Sequence, residues 1–187
     1  MPLTTLDPKT ALVVIDLQNG ILSYPTVHPV SGVVANAASL ADAFRRHRLP
    51  VVLVNVAGGA PGRAEQSRKL SDLPADWTEL AAELNRQPDD YTVTKCTWGA
   101  FTNTNLDDYL RTRGVTQIVL CGVSTSIGVE STARFAYELG YNVTLATDAM
   151  TDTNADAHAN SVTRIFPRLG ETGTTSEVLA LLKKSRA

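Results

Sequence analysis

Short runs of β-branched and other apolar residues alternate along the chain with segments whose apolar positions recur at helical spacing. Ala11–Leu17, Val51–Val56, Tyr91–Thr94, Gln117–Gly122 and Asn142–Ala146 are predicted as strands. Several are apolar at nearly every position rather than at every second one. A sheet covered on both faces needs that pattern, so the strands are read as parallel. Between the first two, residues 31–47 place Val33, Ala37, Leu40, Ala41 and Phe44 on one helical stripe. Thr104 is predicted to open a further helix, with Asp107 completing a capping box and Gly114 as the stop. Helices are also predicted over 128–139, ended by Gly140, and over 156–166. A last one starts at Thr174 with Glu177 and ends in Lys183, Lys184 and Arg186, where positive charge suits a helix C-terminus. This alternation predicts a three-layer α/β/α domain built on a doubly wound, mainly parallel sheet with right-handed crossovers.

One long irregular stretch remains, residues 57–76, with Gly58, Gly59, Pro61, Gly62 and Pro74. It is a candidate lid over a site, with a plain surface excursion as the alternative.

Length and composition narrow the class. The 187 residues suit a single domain over 1–187. Apolar residues at 43%, charged residues at 19% and a net charge of −2, with both signs interspersed, leave no basic stripe for nucleic acid and no polybasic membrane patch. No apolar run approaches the ~20 residues that span a bilayer. The opening MPLTTLDPKT has neither the basic nor the apolar region of a signal peptide. Cys96 and Cys121 make no disulfide framework, and a cytoplasmic location is expected.

In open parallel sheets ligands bind at the carboxyl ends of the strands, near the point where strand order reverses. Asp16 ends the first strand, the turn GVSTSIG follows the fourth, and Lys95 follows the third. A carboxylate after Ala-Leu-Val-Val-Ile needs a partner in the interior. Taken alone, Asp16 could be a structural residue bonding the next turn, and Lys95 a surface lysine.

Three segments together, ALVVIDLQNG, VTKCTWGAF and GVSTSIGVESTA, resemble the isochorismatase-like (cysteine hydrolase) superfamily over nearly the whole chain. The resemblance implies a hydrolase of a small, anionic metabolite, without metal or cofactor, working as a homo-oligomer. It marks Asp16, Lys95 and Gly128 as the catalytic positions. It marks Gln18, Trp98, Phe101, Ser124, Thr125 and Ile127 as substrate-binding. It also carries over a cis peptide to Val123–Ser124. Most members have a cysteine nucleophile at position 128, with the aspartate taking the thiol proton and backbone N–H groups of the turn holding the oxyanion. Gly128 rules out covalent catalysis from this position. Isochorismatases themselves carry glycine there and hydrolyse a vinyl ether, with the aspartate as acid and water as nucleophile. This chain departs from them: Ser124 stands where they have an aromatic residue, and Val56–Gly59 offers no counterpart to their glutamine. The expected geometry is an acid and an ammonium facing each other across the space a thiol would fill. Vinyl-ether hydrolysis is favoured and amide hydrolysis second. A catalytically inactive binding or regulatory homologue is the alternative. Whether Asp16 is an acid or a base depends on whether burial or Lys95 dominates its pKa.

The remaining candidates are weaker. Cys96 should point away from the crevice, since neighbours in an extended segment face opposite ways. Cys121 reads as core. Ser124, Thr125 and Ser126 are read as orienting substrate or capping the helix, with no histidine close in sequence to activate them. His28, His47 and His158 are scattered without ligand spacing, and NVAGGAPGRAEQ lacks the Asp-x-His that holds a metal in nicotinamidase relatives. GGAPG lacks the Lys-Ser/Thr of a phosphate loop. Arg63 and Arg68 could pair a substrate carboxylate or be solvated. Glu130 is a first-turn acid and a second candidate proton carrier.

Overall fold

The computed structural model describes residues 3–66 and 73–185. Among these residues six strands form one sheet: β1 (Thr10–Ile15), β2 (Val51–Val56), β3 (Tyr91–Lys95), β4 (Gln117–Val123), β5 (Asn142–Thr151) and β6 (Glu171–Gly173). All pairs are parallel, in the order β3-β2-β1-β4-β5-β6. The chain works outward from β1 in one direction, then returns to start again at β4. The switch point therefore lies between β1 and β4, where Ile15 pairs with Gly122.

The helices are a single turn α1 (Asn19–Leu22), then α2 (Val30–Arg46), α3 (Leu106–Thr112), α4 (Glu130–Glu138), α5 (Ala155–Asn160), α6 (Phe166–Leu169) and α7 (Thr175–Ser185). A π-helical turn, Thr125–Val129, leads into α4, and a second one, Ser161–Ile165, joins α5 to α6. Every residue of β1 is buried, as two covered faces require. Leu12 and Val14 face α2 and α7, packing on Leu40, Phe44, Val178 and Leu182. Ala11, Val13 and Ile15 face the other layer, with Leu106, Leu110, Ala133 and Phe166.

The structure differs from the sequence expectation at several points. β5 runs on past Ala146 to Thr151, because a bulge opposite Leu120–Gly122 absorbs the irregular register. The turn into α4 begins at Thr125, three residues before Gly128. The capping box at Thr104 does not form: Asp107 instead accepts from Tyr141 Oη (2.7 Å) and Arg111 Nε (2.9 Å). The box at Thr174 does form, with Glu177 Oε2 accepting from the Thr174 N–H at 2.6 Å. Among the described residues no helix is long and apolar enough to cross a membrane.

Candidate active site

Three strand ends deliver the site. Asp16 leaves β1 with φ 52°, a left-handed conformation that Asp tolerates better than most residues. Its N–H still donates to Val54 O at 2.9 Å, so its backbone remains tied to β2. Lys95 closes β3 and Gly128 sits in the turn after β4. Gly122 makes the close approach possible: its φ is 122°, and a Cβ there would lie 2.0 Å from the Ile15 carbonyl oxygen.

Lys95 Nζ donates to Asp16 Oδ2 at 2.7 Å and to the Thr97 carbonyl at 3.1 Å. Both residues are buried, at 2% and 5% exposure. Asp16 Oδ1 is buried and has no partner among the described residues. An ammonium has three N–H bonds and two find an acceptor among the described residues, so a spare donor and a spare acceptor lie at one interior ion pair. Buried polar atoms are rarely left so, and such a pair fits a bound water or substrate. Burial pushes the Asp16 carboxyl up to about 6, against the charge and hydrogen bond of Lys95, which pull it down. Burial therefore dominates.

The expected hollow between acid and ammonium is absent, because the two heads are in direct contact. Space at Gly128 is also narrow. A Cβ there would lie 2.9 Å from Ile15 Cγ2, 3.2 Å from Asp16 Oδ2 and 3.6 Å from the Trp98 carbonyl. The glycine lets the turn lie against the carboxylate.

The peptide bond Val123–Ser124 is cis. The Ser124 carbonyl accepts from the N–H groups of Ile127 (3.2 Å) and Val129 (3.1 Å). No side chain of the turn caps it, contrary to the capping role read for the Ser-Thr-Ser run. Asp152, at the end of β5 and 1% exposed, does this instead: its Oδ2 accepts from Ser126 N and Ser126 Oγ, both at 2.8 Å. Asp152 was missed because the strand before it was expected to end at Ala146.

The substrate-contact positions separate. Trp98 is 66% exposed beside Gly128, and Ile127 is exposed in the same turn. Ser124 makes no side-chain hydrogen bond among the described residues. Thr125 is fully buried, with Oγ1 2.8 Å from His158 Nδ1. Gln18 is a brace and has no donor left for substrate: Nε2 donates to the carbonyls of Val56 (3.0 Å) and Trp77 (2.9 Å), and Oε1 accepts from Val56 N (2.7 Å). Phe101 is core, stacked on Tyr141 at 5.9 Å. Glu130 is taken up by Ser161 Oγ (2.6 Å) and Arg134 (2.9 Å). Cys96 is exposed and lies against Gly58, away from Asp16, while burial pushes the Cys121 thiol up to about 12. Of the candidate lid, Arg63 is exposed and Arg68 lies outside the described residues.

The family model described as the isochorismatase domain matches residues 10–177, which span all three parts of this site. The chain belongs to the isochorismatase family. An uncharacterized isochorismatase family protein of Bacillus subtilis, YwoC, is 46% identical over 182 residues, covering 94% of this chain and 95% of the relative. The ureidoacrylate amidohydrolase RutB of Variovorax paradoxus is 31% identical over 178 residues, 79% of this chain and 71% of its own. The structure of an isochorismatase family protein from Burkholderia thailandensis superposes with a TM-score of 0.91 at 46% identity, covering 96% of this chain and 98% of that one. The family's members are hydrolases in the main, and the α/β sheet described above is the family fold.

Proposed function

We propose that this chain hydrolyses a small, anionic metabolite, with Asp16 moving the proton, Lys95 holding the carboxyl in place and water as the nucleophile. The observation that carries this reading is the buried Asp16 carboxyl, paired through Oδ2 and unpartnered at Oδ1. A pKa of about 6 leaves about one carboxyl in ten protonated at pH 7, and a proton carrier works best when its pKa lies near the working pH.

Vinyl-ether hydrolysis is the favoured reaction. Asp16 gives its proton to the enol-ether carbon, water adds to the resulting oxocarbenium carbon, and its proton returns to the Asp16 carboxylate. The hemiketal then collapses to a ketone and an alcohol. No covalent enzyme intermediate is needed, which suits Gly128. Amide hydrolysis is second, with Asp16 as base toward water; RutB, named as an amidohydrolase, supports it. The exposed Trp98, Ile127 and Phe135 support assembly as a homo-oligomer.

The test is a panel of small vinyl ethers and amides run on wild type and Asp16→Asn. Turnover by wild type should fall by about 10²–10⁴-fold in the variant, the usual worth of a positioned proton carrier. Undiminished turnover in the variant refutes the reading.

A further inference from the structure

Two histidines 130 residues apart in sequence meet at the carboxyl end of the sheet. His28 precedes α2 and His158 lies in α5; their rings stand edge to face with centroids 4.8 Å apart. Each Nδ1 is held by a threonine hydroxyl. Thr125 Oγ1 lies 2.8 Å from His158 Nδ1, and Thr151 Oγ1 lies 3.1 Å from His28 Nδ1. Both threonines are fully buried. Thr125 has no other side-chain partner among the described residues. Thr151 Oγ1 accepts from the His28 backbone N–H at 3.1 Å and has no acceptor for its own proton other than His28 Nδ1 among the described residues. A buried hydroxyl hydrogen needs an acceptor, so each hydroxyl donates to the ring nitrogen beside it. With each Nδ1 accepting, the N–H of each ring lies on Nε2. Neither Nε2 has a hydrogen-bond partner among the described residues.

The location ties this pair to the site. Thr125 opens the same π-helical turn that carries Gly128, and Thr151 ends the strand beside it. Two N–H donors on touching rings suit an acceptor with two oxygens. We propose that His28 and His158 form a donor subsite for a carboxylate of the molecule whose reacting bond lies at Asp16. Only the last clause rests on the hydrolase reading. Burial and the neighbouring His28 lower the His158 pKa, and Asp152 opposes them, so the neutral donor form persists near pH 7. A bound carboxylate adds to the pull of Asp152 and raises the pKa of His158.

The experiment is ¹⁵N imidazole NMR of the wild-type protein titrated with sodium acetate against sodium chloride at constant ionic strength. Both His28 and His158 are expected as the Nε2–H tautomer. Acetate should shift both saturably, leave His47 unmoved, and raise the His158 pKa. His28→Ala should weaken the acetate response of His158 by about tenfold, the worth of one lost hydrogen bond to a charged group. A proton on Nδ1 in either ring, or shifts no larger than those of His47, overturns the proposal. Asp16→Asn should leave the titration unchanged, so this subsite and the hydrolase reading fail separately.

Discussion

Replacing Lys95 by methionine removes the ammonium from a carboxyl group whose side chain has no other donor among the described residues. Asp16 Oδ2 loses its 2.7 Å partner, and Oδ1 already has none. Burial raises the Asp16 pKa, while the charge and the hydrogen bond of Lys95 lower it; the substitution deletes both lowering influences. The pKa must therefore climb from about 6. Burial alone raises a carboxyl by up to about 3–5 units. A further rise of about 2 units is worth about 3 kcal/mol, at ~1.36 kcal/mol per unit. The folded pKa lies above the unfolded value of about 3.9, so the folded state binds the extra proton. Stability from this group is full below about pH 4 and is lost as pH rises through the folded pKa. In wild type that loss is complete above about 6. In Lys95→Met it continues to higher pH. Urea unfolding should show a small stability gap near pH 5 that widens by about 3 kcal/mol toward pH 9. A gap that already widens below about pH 4 would refute the dominance of burial at Asp16, because the wild-type pKa would then lie at or below the ordinary value.

Gly128→Ala sets a methyl 2.9 Å from Ile15 Cγ2. Overpacking of about 1–3 kcal/mol should outweigh the ~0.5–1 kcal/mol that alanine gains over glycine in a helix; an unchanged or higher melting temperature contradicts this. Asp152→Ala strips the acceptor from Ser126 N, Ser126 Oγ and Asn154 N. Urea unfolding should show a loss of about 3 kcal/mol or more, since bonds to a charged group are worth ~1.5–3 kcal/mol each, and a loss below about 1 kcal/mol would mean the turn does not depend on it. Gln18→Ala removes three hydrogen bonds of a fully buried residue and should destabilise by about 3 kcal/mol; wild-type stability in urea would return Gln18 to the role of a substrate contact.

The parallel sheet was legible because β1, β4 and the first four residues of β2 are buried on both faces, so Ala11–Ile15, Val51–Val54 and Ile118–Cys121 read as apolar runs. β6 left no such trace: its three residues, Glu-Thr-Gly, form a strand only by pairing with β5. The second half of β5 was hidden for a related reason. Thr147 and Asp148 interrupt the apolar run, and a bulge rather than a turn absorbs them. With the strand cut short, Asp152 had no reason to stand out. The convergence of Asp16, Lys95 and the turn after β4 followed from strand order. The contact distance did not, because a spacing rule locates a strand end without fixing how far a lysine reaches. The His28–His158 contact is a product of tertiary packing alone, and no local period encodes it. Gln18 differs for a similar reason: the family resemblance marks it as a substrate contact, while its amide is taken by Val56 and Trp77.

Burial holds the Asp16 carboxyl within reach of a proton near neutral pH although an ammonium touches it. A ¹³C NMR titration of the Asp16 side-chain carboxyl in the wild-type protein measures this directly. The structure predicts an inflection at about 6. An inflection at or below the ordinary value of about 3.9 would contradict the account, since Lys95 would then outweigh burial and Asp16 would have no proton to give.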